Sequence, residues 1–288
     1  MKGAADGTAA EAPAVAAISK ASAGADPRPH ALMTAGGTRE AVDEVRWLGN
    51  VASGALPAAM AEALLRRGWR VTYVHGPSAL LPGERQVRLP LGTGTAGLAE
   101  ALQRAADETQ AALLPAPLAL RLVAITSAAE AAHAVTTLTA ETLPTLAICA
   151  MAVADYRPRP FAGKLSSRLP AEIGDGPALL LPLDATDKVI DRIKPASPST
   201  AVLGFKLLAG ADEAGQRDAS RRLAERSGAD WVFSNDIRDY RLGRRCGTLR
   251  DGAGEPLLWL DGGADADALL ALAEALVASL LDLLPPSA

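Results

Sequence analysis

The sequence predicts an α/β fold, a doubly wound, mostly parallel sheet with helices on both faces. Three observations carry this reading. Short apolar runs alternate with helical patterns along the chain, the order that builds parallel sheets from strand–helix–strand units. A glycine-rich turn follows the first run and precedes the first helix, the place where such units bring bare backbone N–H groups to a phosphate. The chain has 288 residues and 49% apolar composition, enough to bury a sizeable core.

Taken in order, the first strand is Ala31-Leu32-Met33. The polar turn Thr34 to Gly54 leads into a helix over Leu56 to Arg67, which Gly68 stops. A second strand covers Val71 to Val74. Further strands are expected at Leu122 to Ile125, Leu146 to Ala150, Ala201 to Phe205 and Trp231 to Ser234. Helical patterns lie at about 97–110, 128–141, 187–194, 212–227 and 265–282. Residues 82–95 and 111–120 read as surface loops. Residues 157–180, rich in Pro, Gly and charge, read as a long loop suited to a site lid. Gly247 to Leu260 reads as a small C-terminal hairpin around Asp251-Gly252. The whole is Rossmann-like. Residues 1–29, rich in Ala, Gly, Pro and Ser, read as a disordered tail ahead of a single domain at 30–288.

Composition excludes several classes. A net charge of −4 argues against a nucleic-acid partner. No apolar run is long enough for a membrane span, and the start of the chain has no apolar signal region, so the expectation is a cytoplasmic protein. Cys149 and Cys246 are far apart, with no metal-ligand spacing, and the three histidines, His30, His75 and His133, give no metal pattern. Cys149, in an apolar run, reads as a buried small hydrophobe.

The residues that could carry chemistry cluster at expected strand ends. Gly36-Gly37-Thr38 and Ser53-Gly54 offer two turns with exposed N–H groups and two hydroxyls, a phosphate cradle. Arg46 and Asn50 lie four apart and would share a face if their stretch is helical. Arginine suits a carboxylate or phosphate, and asparagine a polarised acyl oxygen. Met151-Ala152-Val153-Ala154-Asp155 follows a strand, with Asp155 expected in the crevice. Lys164 lies in the expected lid, where a lysine can close over phosphates. Phe205 and Lys206 end one strand, and Asn235 the next, suited to a base or ribose. No nucleophile–histidine pair is present.

Together these segments resemble the phosphopantothenate–cysteine ligases, in their standalone, monofunctional form. The matching pieces are Thr34-Ala35-Gly36-Gly37-Thr38 with Glu40, Asp43, Val45 and Arg46; Asn50 with Ser53-Gly54; Ala152 to Tyr156; Lys164; Gly204-Phe205; and Asn235-Asp236. They run in the family's order over about residues 30–282. The resemblance implies a ligase that joins 4′-phosphopantothenate to cysteine through an acyl-nucleotide. It would release pyrophosphate and a nucleoside monophosphate. Magnesium would accompany the nucleoside triphosphate, CTP or ATP, with CTP favoured, and no protein metal site is expected. Asn50, Lys164 and Arg46 would be catalytic. Gly36, Gly37, Ser53, Gly54, Phe205, Lys206 and Asn235 would bind nucleotide, and Asn50, Met151, Ala152 and Asp155 substrate. The family also implies a homodimer in which a flap, here the segment around 165–185, helps close the partner's site.

The chain departs from the family pattern in its lid motif, where the family's several lysines are reduced to Lys164 with Arg168 after it, and at two further positions. Ala52 stands where a hydroxyl is usual, and Pro57, which has no N–H, where a glycine is usual. Both thin the phosphate cradle and keep open a second reading, a non-catalytic nucleotide-binding protein on the same fold. An NAD(P)-dependent reductase is a third. It calls for G-x-G-x-x-G and an acidic residue closing the second strand, and the chain reads Ala35-Gly36-Gly37-Thr38 and Val74-His75-Gly76 instead.

Overall fold

A computed structural model describes residues 26–84, 92, 94–113, 119–165, 172–173, 176–177, 180–264 and 267–285. Most of the expected N-terminal tail lies outside them. The chain opens with β1 (His30–Ala35), then β2 (Arg39–Ala41) and β3 (Trp47–Gly49), a hairpin. Next come α1 (Ala55–Arg66), β4 (Arg70–His75), α2 (Thr95–Leu113), β5 (Leu120–Ala124), α3 (Ala128–Thr142) and β6 (Leu146–Cys149). Three short strands follow, β7 (Tyr156–Pro158), β8 (Glu172–Ile173) and β9 (Gly176–Pro177). Then come β10 (Leu183–Ala185), a 3-10 turn at Val189–Arg192 and α4 (Ile193–Ala196). The chain closes with β11 (Ala201–Leu208), α5 (Glu213–Ser227), β12 (Trp231–Asp236), α6 (Ile237–Arg241), β13 (Cys246–Asp251), β14 (Pro256–Asp261) and α7 (Ala268–Leu283).

The central sheet has eight strands in the order β14-β13-β12-β11-β6-β1-β4-β5. All neighbours from β12 to β5 pair in parallel. The last two strands add antiparallel. In the parallel part, chain order runs outward in both directions from β1 and β6. That pair is therefore the topological switch point, where doubly wound sheets leave a crevice at their carboxyl ends. One face is covered by α1 and α7, whose buried leucines and alanines pack on Met33, Leu146, Leu203 and Phe233. On the other face Val135 and Leu138 of α3, with Val189 and Ile193, pack on Leu32, Val74, Ala147 and Val202. Arg250 of β13 is fully buried. It donates to Glu213 of α5 at 2.8 and 2.9 Å and to the Ser234 hydroxyl at 2.9 Å, which braces α5 against β12.

The sequence expectation is corrected at five places, the first being the expected 111–120 loop: α2 runs on to Leu113, and β5 opens at Leu120. The stretch holding Arg46 and Asn50 is a hairpin and its flanks, not a helix, because Asp43 folds it back on itself (below). The 187–194 helix is a 3-10 turn followed by one turn of α4. β11 runs three residues past Phe205, because it stays paired with β12 as far as Leu208 and Asp236. Within the expected 157–180 loop, β7 pairs antiparallel with β10, and β8 with β9.

Candidate functional site

The Gly36-Gly37 turn carries β1 onward across the end of β6. The Ala152 N–H donates to the Gly36 carbonyl at 2.8 Å, and Gly37 bridges Ala152 in parallel. The Thr38 hydroxyl is buried and accepts from the Ala154 N–H at 2.9 Å, so it is spent on the fold rather than on a phosphate. Glycine is required at both positions by close approach. Gly36 has φ 75°, and a Cβ there would lie 2.6 Å from the Ala79 Cβ. A Cβ on Gly37 would run into the carbonyl oxygen of Asn50.

That crossing places Asn50 beside the end of β6. Its Nδ2 donates to the Val153 carbonyl at 3.0 Å. The contact fixes which end of the amide faces inward: the nitrogen must meet the carbonyl, and Oδ1 has no partner among the described residues. Past Asn50, Ser53 and Gly54 lead into α1. Gly54 (φ 68°) precedes the helix and has no side chain to cap it, the Ala55 N–H donates to the Ser53 hydroxyl at 3.4 Å, and the first turn has no acidic residue. With Pro57 lacking an N–H and the Ala58 N–H on the Gly54 carbonyl at 3.0 Å, the helix start leaves the Leu56 N–H without a partner among the described residues, at the positive end of the helix dipole. The loop after β4 holds it in place, with Leu80 N–H donating to the Ser53 carbonyl at 2.8 Å. The Tyr73 hydroxyl donates to the Leu80 carbonyl at 3.0 Å and the Gly54 carbonyl at 3.4 Å. Burial, with Glu62 and Glu84 nearby, pushes the Tyr73 phenol up, so it stays a donor.

Asp43 organises the turn before Asn50. Its carboxylate accepts from the N–H groups of Val45 (2.9 Å), Arg46 (2.7 Å) and Leu165 (3.0 Å) and pairs with the Arg46 guanidinium. Burial alone would raise its pKa. The backbone N–H groups and the arginine outweigh burial and bring it to about 2. Arg46 also donates to the Leu165 carbonyl at 3.3 Å. The neighbours of Lys164 are thereby clipped to this turn, with Glu44 N–H on the Gly163 carbonyl at 3.4 Å. The Lys164 ammonium itself has no partner among the described residues. Glu40, buried on β2, accepts from the Ala128 N–H at 2.7 Å and caps α3.

Over the switch point lies a cavity of about 1050 Å³. It gathers Asn50, Ser53 and Gly54, then Met151, Ala152 and Asp155, and farther along the sheet Phe205, Lys206 and Asn235. Gly36, Gly37, Arg46 and Lys164 do not line it. Asp155 is held by Lys188, and the Thr186 N–H donates to its carbonyl at 3.0 Å. The Phe205 ring packs on Phe233 at 5.5 Å and 58°. Lys206 has no partner among the described residues. Sequence reading passed over Lys188, Tyr240 and Arg245, which also line the cavity. Lys188 looks like one more charge within the 187–194 helical pattern, and only the fold turns it onto Asp155. Half-buried Cys149 also lines the cavity, and burial, with Asp191 nearby, pushes its thiol up to about 12. Among the described residues no group of three or more His, Cys, Asp or Glu is placed to hold a metal ion, and no helix is long and apolar enough to cross a membrane.

The DNA/pantothenate metabolism flavoprotein C-terminal domain matches this chain over residues 28–119 and 108–247. A coenzyme A biosynthesis bifunctional protein CoaBC from Thermococcus kodakarensis is 26% identical over 209 residues, covering 73% of this chain and 41% of that protein. The CoaBC protein from Haemophilus influenzae is 51% identical over 45 residues, 16% of this chain and 11% of that protein. The chain thus spans less than half the length of these relatives. Among solved structures, the DNA/pantothenate metabolism flavoprotein from Streptococcus pneumoniae superposes with a TM-score of 0.64 at 21% identity, over 88% of this chain and 97% of that one. A Cab2 mutant in complex with phosphopantothenate-cysteine gives 0.71 at 18% identity, over 88% and 85%. At these identities the likeness is one of fold.

Proposed function

The chain belongs to the family of DNA/pantothenate metabolism flavoprotein C-terminal domains, and from that premise we propose that it is a nucleotide-dependent ligase joining 4′-phosphopantothenate to cysteine. One observation supports this most strongly. The N-terminus of α1, with the Ser53 hydroxyl, the Leu56 N–H and the positive end of the helix dipole suited to an anion, opens into the same cavity as Asn50, residues 151–153 and Asp155. An anion site beside a polar amide suits an acid being activated on a phosphate.

In the first step a carboxylate oxygen of phosphopantothenate bonds to the α-phosphorus of the triphosphate and pyrophosphate leaves. In the second, the cysteine amine bonds to the acyl carbon and the nucleoside monophosphate leaves, with one proton released. Neither step needs a strong base, and positioning with charge stabilisation suffices. Ser53, Gly54 and the first turn of α1 hold the phosphates. Asn50 has one N–H left to donate to the acyl oxygen, and its free Oδ1 accepts from the incoming amine. Lys164 reaches the leaving pyrophosphate from its clipped backbone, and Arg46 acts through that clip. Met151, Ala152 and Asp155 receive the acid, and Phe205, Lys206 and Asn235 the nucleoside. The cavity's carboxylates are already engaged, Asp155 by Lys188 and Asp236 by the Gly210 and Arg238 N–H groups. Magnesium therefore travels on the triphosphate, bound by phosphate and water.

The nucleotide is CTP ahead of ATP. The active form is a homodimer that buries the exposed apolar side chains of the β2–β3 hairpin and the β7–β10 ribbon, among them Trp47, Leu48, Val51, Tyr156 and Leu183. The test is pyrophosphate release with phosphopantothenate, magnesium and CTP or ATP, without cysteine. Release that requires phosphopantothenate is expected. The second reading, a nucleotide-binding protein without catalysis, draws on Pro57 in the first turn of α1 and on Ala52. It predicts binding with no pyrophosphate from either nucleotide.

A further inference from the structure

Tyr73 is a buried polar side chain that the chemistry above does not use. It stands on β4, wholly buried among the apolar residues packed beneath α1 and α7. Its hydroxyl donates at 3.0 Å to the Leu80 carbonyl, which has no other partner among the described residues, and at 3.4 Å to the Gly54 carbonyl. Leu80 in turn donates its N–H to the Ser53 carbonyl at 2.8 Å. One hydroxyl thus ties residue 80 to both residues of the Ser53-Gly54 step. Ala79 is wedged beside the same step: a Cβ built on Gly54 would lie 3.2 Å from the Ala79 Cβ, and one on Gly36 2.6 Å from it. The loop is anchored on either side of this contact. The Arg39 guanidinium donates to the Ser78 hydroxyl. The Leu81 N–H donates to Glu84 at 2.9 Å, and the Gly83 N–H to buried Glu62 at 2.7 Å. Neither Tyr73 nor this loop lines the cavity, whereas Ser53, Gly54 and Leu56 do.

We propose that Tyr73 is a positioning residue of the phosphate site: through Leu80, its hydroxyl sets where Ser53, Gly54 and the Leu56 N–H stand toward the phosphates of the nucleotide. The inference rests on the nucleotide-dependent reading above. The helix start has few donors to spare, since Pro57 supplies none. A shifted Ser53-Gly54 step is therefore not made good by a neighbour, and hydrogen bonds weaken steeply once length and angle leave their normal range. Without the hydroxyl, the Leu80 carbonyl is left without a donor and turns toward water. That rotation takes the Leu80 N–H off the Ser53 carbonyl. Asn50 is braced separately, by the Val153 carbonyl beyond β6. Loosening the phosphate end should therefore spare the end that receives the acid.

Tyr73→Phe removes only the hydroxyl and keeps the ring. Two measurements on the full chain test the proposal. The first is amide hydrogen exchange without ligand. The Leu80 and Ala58 N–H groups, which donate to the Ser53 and Gly54 carbonyls, should exchange roughly tenfold faster or more in the variant, while Ala61 and Leu64 farther along α1 change by less than about threefold. The second is calorimetric titration with magnesium pyrophosphate and, separately, with phosphopantothenate. Pyrophosphate affinity should fall roughly fivefold or more, and phosphopantothenate affinity should stay within about twofold. Tyr73→Leu also lacks the hydroxyl and should give the same split, with circular dichroism establishing that both variants fold. An equal loss for both ligands, or faster exchange throughout α1, would mean that Tyr73 serves stability alone and overturns the proposal. Unchanged pyrophosphate affinity overturns it as well and leaves the nucleotide reading standing. Wild type that binds neither pyrophosphate nor CTP nor ATP defeats the nucleotide reading and this inference together.

Discussion

Asn50 is the residue on which the proposed chemistry turns. Its carboxamide is held by the Val153 carbonyl, so its free oxygen and second N–H keep a fixed orientation in the cavity. Asn50→Ala should leave nucleotide affinity within about twofold and lower product formation at least tenfold, on the order of the loss of one positioned donor. Near wild-type turnover would remove Asn50 from the mechanism. His30, at the opposite end of β1, makes a stability prediction. It is buried, with Nε2 at 2.9 Å from the Thr72 hydroxyl and Nδ1 unpartnered. Burial, then Arg70 and Arg121, depress its pKa from 6.5 to about 4. Between those values the unfolded chain binds a proton that the folded chain refuses. The His30 contribution is therefore full above pH 6.5 and is lost as pH falls toward 4. Relative to His30→Asn, wild type should lose up to roughly 3 kcal/mol over that window in urea titrations. Parallel pH profiles for the two proteins would contradict this.

At the scale of elements, the crossing at Gly37 ties β1, the hairpin end and the β6 end together. Gly37→Ala forces the Asn50 carbonyl to move, and it is backbone with no rotamer to give. The expected cost is about 1–3 kcal/mol in a denaturation midpoint, with product formation falling further than stability alone explains. An unchanged midpoint would mean that the crossing relaxes freely. The same region shows what was legible in the sequence. β1, β4, β6, β11 and β12 stood out as apolar runs between helical patterns, because strands covered on both faces must be apolar throughout. The β2–β3 hairpin did not. It is three residues a side, largely exposed, and shaped by Asp43 accepting three N–H groups, none of which shows as periodicity. Thr38 and Gly36 matched a phosphate turn by residue type. Their hydrogen bonds to 152–154 depend on a neighbour more than a hundred residues away. Ser53-Gly54 was legible because a small polar step ahead of a helix is a local feature.

For the whole molecule, the doubly wound order fixes one crevice at the β1–β6 switch, and the cavity lies there. Lys188 and Arg245 reach it through topology alone, which is why spacing did not reveal them. The exposed apolar side chains flanking the cavity support the dimer proposal. Sedimentation should give a mass twice 29.5 kDa. Trp47→Glu together with Leu183→Glu should shift it to the monomer and reduce product formation. A wild-type monomer with full activity would contradict the dimer.

The proposed ligation runs through an acyl-nucleotide formed at the phosphopantothenate carboxylate. The direct measurement is to label both carboxylate oxygens with oxygen-18, turn over with CTP, magnesium and cysteine, and weigh the nucleotide product. The expected product is a nucleoside monophosphate carrying one labelled oxygen, because the oxygen that bonds to the α-phosphorus leaves with it. Unlabelled monophosphate, or a nucleoside diphosphate with label in inorganic phosphate, would contradict it.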